Sequence, residues 1–249
     1  MQKRKSSTKP TRRRTAARSD GRTTVLLTGF GPFPSVPVNA TMMLVPLLAK
    51  AARQLFPAVH IVTEILPTEW IAAPAHVDRL LKLHRPDIVL HFGVSSRARG
   101  FEIESRGRNL CAMVPDASGC RPSAPAIVDD GIDLLPSRFP VTEIVQRLQA
   151  QKIPAFRSWS AGTYLCNATL YHVLTETTGQ ACEAGFVHVP DKLAARSAIA
   201  QAGLPMRTRP GCPLTWPQAL NGGLEIIATL LDRPSPNPAR RTLALRRTG

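Results

Sequence analysis

The stretch DIVLHFG, residues 87–93, decides the fold class of this 249-residue chain. It is mostly apolar and ends in a glycine, and the chain holds three similar runs: TVLLTG (24–29), HIVTEIL (60–66) and AGFVHVP (184–190). Short apolar runs bounded by Gly or Pro are typical of parallel strands that are buried on both faces. The sequence therefore predicts four strands of a mainly parallel sheet.

Helical patterns lie between and after these runs. Three sets of apolar residues recur at the spacing of one helix face: Leu44, Leu47, Leu48, Ala51 and Leu55; Val141, Ile144, Val145 and Leu148; and Leu220, Leu224, Ile227 and Leu231. Pro46 should kink the first of these helices or lie near its start, and Thr215 should cap the last, with Pro217 in its first turn. Alternating strands and helices predict an α/β fold of three layers, a mostly parallel twisted sheet with helices on both faces, in a single domain.

The net charge of +15 is concentrated at the two ends of the chain. Residues 1–22 contain nine Lys or Arg and one Asp, and residues 233–249 contain five Arg and no acid, so residues 23–232 are nearly neutral. Both ends have few large apolar residues, so we expect basic disordered tails at 1–22 and 233–249 around one α/β domain at 23–232. Such tails suit weak, non-specific contact with nucleic acid or other anions, although solvated extensions are the commoner case.

Cysteine usage and the polar N-terminus bear on the compartment. Five cysteines at irregular spacings argue against a disulfide framework and for a reducing environment. No CxxC pair or paired histidine spacing suggests a zinc site, and the chain has no P-loop, so we expect no metal and no cofactor. No apolar run approaches the length of a membrane span, so the sequence predicts a cytoplasmic protein without a membrane partner.

Three reactive side chains fall at or beside the predicted strand ends, where ligands bind in open α/β sheets. His188 lies in GFVHVP, Glu104 follows the third strand, and Cys166 heads a helix opened by small residues. A nucleophilic cysteine needs a base, and its histidine needs an acid that fixes the tautomer. The start of a helix also favours a thiolate. Taken singly, a packed thiol, a satisfied core imidazole and a solvated carboxylate remain alternative interpretations.

Five ordered motifs resemble those of one enzyme family, pyroglutamyl peptidase I, a family of cysteine peptidases. They are TGFGPFPSVPVNAT (28–41), PDIVLHFG (86–93), IESRGRNLCAMVPDASG (103–119), SAGTYLCNATLY (160–171) and AGFVHVP (184–190). The resemblance extends from about Thr24 to Leu231, which is essentially everything between the basic ends.

The resemblance implies an activity and a set of site residues. The family's catalytic cysteine, histidine and glutamate fall on Cys166, His188 and Glu104. The two aromatic residues that hold the pyroglutamyl ring fall on Phe30 and Phe33, and Asn39 of the same motif joins them as a substrate-binding residue. We therefore expect hydrolysis of the amide bond after an N-terminal pyroglutamyl residue of peptides, and, by resemblance alone, a homo-oligomer. A flat neutral lactam suits recognition by aromatic faces and a few hydrogen bonds.

Several positions depart from the family pattern around the substrate region. Pro34 and Ser35 replace a Gly-Gly pair, Val94 stands where a hydrogen-bond donor is common, Ser105 replaces an arginine, and Trp159 adds bulk near the nucleophile. These changes leave two alternatives to pyroglutamyl hydrolysis. One is an active relative with shifted acyl or lactam specificity; the other is a non-enzymatic binding protein that uses the fold and the basic tails.

Overall fold

The computed structural model describes residues 21–194 and 208–236, so the predicted tails at 1–22 and 233–249 lie almost wholly outside the described residues. Eight strands and five α-helices are found in that part of the chain. The strands are β1 (Thr24–Phe30), β2 (His60–Leu66), β3 (Ile88–Ser95), β4 (Phe101–Glu104), β5 (Arg106–Arg108), β6 (Leu134–Pro136), β7 (Ala155–Ser158) and β8 (Glu183–Pro190). The helices are α1 (Thr41–Leu55), α2 (Ala72–His84), α3 (Val141–Gln149), α4 (Leu165–Glu176) and α5 (Trp216–Leu230), and a short 3₁₀ turn follows β8 at Asp191–Leu193.

The main sheet has six strands in the order β2-β1-β3-β8-β4-β7. All neighbouring pairs are parallel except β4 and β8, which run antiparallel with Glu102 opposite His188. The four strands predicted from apolar runs are β1, β2, β3 and β8, and they occupy adjacent positions in the sheet. The predicted mostly parallel α/β sheet is therefore confirmed. Strands β5 and β6 form a separate antiparallel pair.

Helices cover both faces of the sheet, as the sequence predicts. Successive side chains of β1 point to opposite faces of the sheet and therefore belong to different apolar clusters. Val25 and Leu27 belong to one cluster, and Leu26 belongs to the other. The first cluster includes the buried faces of α1, α3 and α5, and the second includes those of α2 and α4. Burial on both faces explains why the central strands read as continuous apolar runs.

The helix predictions hold with one correction. Thr215 caps α5 in a reciprocal capping box with Gln218, and Pro217 lies in the first turn. In α1, however, Leu47 and Leu55 are 36% and 42% exposed and do not belong to the buried face. That face runs through Thr41, Leu44, Val45, Leu48, Ala49 and Ala52. Leu47 lies beside this stripe, and Leu55 is the last residue of the helix.

Two further sequence predictions concern bonding and membranes. All five cysteines are free, as their irregular spacing suggests. No helix within residues 21–194 or 208–236 combines the length and the apolarity needed to cross a membrane.

Candidate active site

A pocket of about 620 Å³ opens where β1, β3 and β8 end and α4 begins. Its position follows from the topology, because the carboxyl ends of parallel strands lie at one edge of the sheet. Five of the six site residues predicted from the sequence line its wall: Phe30, Phe33, Asn39, Cys166 and His188. The sixth, Glu104, lies directly behind the wall, in contact with His188.

Cys166 is the second residue of α4 and is half-buried. The helix begins after Tyr164, which has an extended backbone and offers no side-chain cap, so the first N–H groups of α4 are not satisfied by a capping side chain. These groups and the helix dipole favour negative charge at the thiol. Gly93 of β3 makes room for the sulfur, since a methyl group on Gly93 would lie 3.0 Å from Cys166 Sγ and 2.7 Å from Phe186 Cζ.

His188 lies between the thiol and a buried carboxylate. Its Nδ1 is 2.8 Å from Glu104 Oε1, and its ring lines the same pocket wall as the Cys166 side chain. Glu104 is wholly buried, and its second oxygen has no hydrogen-bond partner among the described residues. Burial would lower the pKa of His188, but the negative charge and hydrogen bond of Cys166, together with Glu104, outweigh it and raise that pKa to about 10. The raised pKa means that the surroundings of His188 favour the protonated ring.

Aromatic rings line the pocket beyond the thiol. Phe30, at the end of β1, lies 6.1 Å from Phe186 between ring centroids, and Phe33 lies 6.0 Å from Tyr164. Tyr164 also makes an edge contact with Trp70 at 5.1 Å. The pocket thus offers apolar ring surfaces next to the reactive sulfur.

Asn39 connects the two ends of the loop that carries Phe33. Its Nδ2 donates to the Gly31 carbonyl at 3.1 Å, and its Oδ1 accepts from the Thr41 hydroxyl at 2.8 Å and the Thr41 N–H at 3.1 Å. Since its oxygen and one N–H are used within the loop, the side chain contributes to the pocket chiefly by fixing the shape of the loop.

The departures from the family pattern have identifiable contacts. Ser105 Oγ donates to the Ser158 carbonyl at 2.6 Å, which ties the end of β4 to the segment that leads to Cys166. Trp159 is 56% exposed, with the guanidinium groups of Arg106 and Arg157 each 4.9 Å from its ring centroid. Trp159 is absent from the pocket wall, whereas Val94 is part of it.

The structure adds residues that the sequence prediction did not assign. Asp116, which lies in the third motif, accepts hydrogen bonds from the N–H groups of Trp70, Ser118 and Cys120 at 2.8, 2.9 and 3.0 Å. Burial would raise the pKa of Asp116, but these bonds and one from the Ser118 hydroxyl lower it. Asp116 thereby holds Trp70 against Tyr164. Asp116 belongs to the third motif, whereas its partner Trp70 lies 46 residues away in the sequence and outside every motif.

A thiol at a helix start, a histidine and a buried carboxylate around one pocket of an α/β sheet are the arrangement of a cysteine-type hydrolase. Comparisons with known proteins agree with this class. A family model described as pyroglutamyl peptidase matches residues 23–207. The chain therefore belongs to the pyroglutamyl peptidase family.

Individual relatives and structures support the same assignment. The pyrrolidone-carboxylate peptidase 1 of Ralstonia nicotianae is 35% identical over 170 residues, covering 67% of this chain and 78% of the relative. The pyrrolidone-carboxylate peptidase of Vibrio vulnificus is 32% identical over 74% of this chain and 86% of its own. The crystal structure of Bacillus amyloliquefaciens pyroglutamyl peptidase I superposes with a TM-score of 0.69 at 28% identity, covering 84% of this chain and 96% of that one.

Proposed function

We propose that this protein is a cysteine peptidase that removes an N-terminal pyroglutamyl residue from peptides, with Cys166, His188 and Glu104 as its catalytic residues. One observation carries the proposal: Cys166 and His188, the latter hydrogen-bonded to Glu104 at 2.8 Å, line the wall of a pocket that is also lined by Phe30 and Phe33. Membership of the family supplies the substrate class, and the three catalytic residues supply the chemistry.

In the first step, the Cys166 thiolate attacks the carbonyl carbon of the pyroglutamyl residue, and a carbon–sulfur bond forms. The developing oxyanion needs hydrogen-bond donors, and the N–H groups at the start of α4 are the nearest candidates on the same element. In well-studied peptidases one such donor contributes about 3 kcal/mol to the transition state. The carbon–nitrogen bond then breaks as the His188 imidazolium gives its proton to the departing amine.

In the second step, neutral His188 takes a proton from water, and the resulting hydroxide attacks the thioester. Free pyroglutamate leaves, and the thiolate–imidazolium pair is restored. Glu104 acts through the imidazole: its 2.8 Å contact with Nδ1 holds the ring so that Nε2 serves the thiol and the substrate, and its charge stabilises the imidazolium.

Recognition of the lactam ring falls to Phe30 and Phe33. The ring carries no charge, so binding depends on contact with these aromatic faces and on hydrogen bonds from the pocket backbone. Asn39 takes part by holding the loop in which Phe33 lies. Val94 offers no side-chain hydrogen bond, so the amide group of the lactam must be read by main-chain groups or by other wall residues.

Release of a fluorophore from pyroglutamyl-aminomethylcoumarin in reducing buffer tests the proposal, with Cys166→Ala as the paired variant. Turnover by the parent and none by the variant supports both the nucleophile and the substrate class. A folded parent without turnover, whose Cys166 is nevertheless rapidly alkylated by iodoacetamide at pH 6, would instead support shifted specificity. Slow alkylation would support a binding protein.

We also propose the setting in which this chemistry takes place. Five free thiols suit a reducing cytoplasm. Residues 23–232 would form the catalytic domain, and the basic residues at 1–22 and 233–249 would be tails that contact anions weakly and are not needed for turnover. Exposed apolar side chains at Met113, Val114 and Ile132, in one long loop, suit a homo-oligomer.

A further inference from the structure

Helices α2 and α4 bring three potential metal ligands together on the protein surface, away from the catalytic pocket. Asp78 belongs to α2, and His172 and Glu176 lie one turn apart on α4. One ligand atom from each lies within 4.8 Å of the other two. The sequence gives no hint of this group, because Asp78 and His172 are 94 residues apart.

The geometry points to a divalent-cation site formed by Asp78, His172 and Glu176, and we propose Zn²⁺ or a similar first-row ion as its ligand. One imidazole and two carboxylates are ligands that such ions accept. In a tetrahedral zinc site with bonds of about 2.0 to 2.1 Å, ligand atoms lie about 3.3 Å apart. The present contact of 2.7 Å between His172 Nε2 and Asp78 Oδ1 would have to open by roughly 0.6 Å, replacing a proton with the metal.

The surroundings allow this rearrangement. Glu176 is exposed and can rotate towards the other two ligands, while His172 is half-buried between the helices. Asp78 and Glu176 also line a second cavity of about 510 Å³, which gives the ion an entry path and leaves space for water in its remaining coordination positions. Lys82 and Arg85 line the same cavity, and their positive charge weakens the attraction of the site for a cation.

A bound ion would join α2 to α4, the helix that carries Cys166. His172 lies six residues after Cys166, about 9 Å along the helix axis. The metal would therefore act on the position and stability of α4 rather than on the reacting atoms. The three ligands line none of the catalytic pocket, so binding of the ion would not depend on the substrate.

The test uses the full chain with Cys166→Ala, which removes the nucleophilic thiol as a competing ligand, titrated with ZnCl₂ by calorimetry and thermal unfolding at pH 7.5. Two variants in this background, His172→Gln and Glu176→Gln, each remove one proposed ligand. A third, Asp129→Asn, is the control, because it removes one exposed carboxylate from the loop between β5 and β6, outside the proposed site. We expect one zinc ion bound, a rise in Tm of about 5 °C or more at a hundredfold excess over Kd, and affinity at least tenfold weaker in the first two variants only.

Manganese provides a second readout that thiols affect little. The electron paramagnetic resonance signal of free Mn²⁺ should fall on addition of the Cys166→Ala protein and fall less with His172→Gln. Equal zinc affinity in the Cys166→Ala protein and in its His172→Gln and Glu176→Gln variants would overturn the proposal, because the ion would then be bound elsewhere, for example at Cys120. Absence of zinc binding to the Cys166→Ala protein would overturn the proposal as well.

Discussion

Replacing Glu104 with glutamine should move the alkaline limit of activity towards neutral pH. The carboxylate touches His188 at 2.8 Å, which places the centres of the two charges about 4 Å apart. With an effective dielectric constant of about 20, their attraction is on the order of 4 kcal/mol, or roughly 3 pKa units. Glutamine keeps the shape and a carbonyl acceptor for Nδ1–H, so we expect a net fall of roughly 2 units in the pKa of His188.

The direction of the effect on rate follows from the role of the imidazolium. The pKa of His188 is raised to about 10, so the parent should keep its proton donor through pH 9 and lose kcat/KM as the pH rises through about 10. In Glu104→Gln this loss should begin near pH 8, and the maximal kcat should also fall, by about a hundredfold or more, because the imidazolium formed in deacylation loses its anion.

The assay is the pH profile of kcat/KM with the fluorogenic amide, with Glu102→Gln as the control. Glu102 lies two residues earlier on the same strand and lines the pocket, but the carboxylate that His188 Nδ1 contacts is that of Glu104. Its variant loses the same charge, yet we expect its alkaline limit to stay within about half a unit of the parent's. A limit near pH 10 in Glu104→Gln, or equal shifts in both variants, would refute the role given to Glu104.

The remaining predictions concern the thiol, the space around it and the Phe33 loop. In Cys166→Ala the pKa of His188, followed by NMR of the labelled ring, should fall, because the Cys166 side chain is one of the groups that raise it; an unchanged pKa would contradict the interaction between the thiol and the ring. Gly93→Ala should lower kcat about a hundredfold, since its methyl would displace the sulfur or Phe186 by several tenths of an ångström. Gly223→Ala, whose methyl would meet the Cδ atoms of Leu48 at 2.8 and 2.9 Å outside the pocket wall, should keep kcat, and equal losses would point to a general folding defect. Asn39→Ala should raise KM more than it lowers kcat and destabilise the fold by about 1–3 kcal/mol, measured by urea unfolding; an unchanged KM would argue against its role in the loop.

The stability of the folded protein should depend on the same histidine. A histidine whose pKa is raised above the unfolded value of about 6.5 stabilises the fold fully below that pH and loses its contribution as pH rises through the folded value. For His188 that loss falls between about pH 6.5 and about pH 10. Denaturant midpoints over this range should fall more in the parent than in a His188→Gln variant, and parallel curves would contradict the raised pKa.

The sequence predicted the central sheet because β1, β2, β3 and β8 are buried on both faces and so carry unbroken apolar runs. Strands β4 and β7 are only four residues long and mix charged with apolar residues, as in FEIE and AFRS. Segments this short show no recognisable hydrophobic periodicity, so the sequence did not predict them as strands. The antiparallel pairing of β4 with β8, which brings Glu104 to His188, depends on tertiary contacts and could not be read from either segment.

The identities of the candidate site residues could be predicted from the sequence, but their spatial arrangement could not. The motifs named Cys166, His188 and Glu104, and the structure brings these three together. It also gives Asn39 a role within its loop that the motif alone could not reveal, because its partners Gly31 and Thr41 are backbone and hydroxyl groups without a sequence pattern. The ring contacts of Tyr164 with Trp70 likewise arise from residues 94 positions apart in the chain.

The most direct test of the account is to capture the acyl-enzyme. The protein is mixed with a pyroglutamyl substrate, quenched in acid during steady turnover, digested, and mapped by mass spectrometry. We predict a pyroglutamyl adduct on the peptide that contains Cys166, absent from the Cys166→Ala protein. Turnover accompanied by an adduct on another cysteine, such as the exposed Cys120, or continued turnover in the alanine variant, would contradict the account.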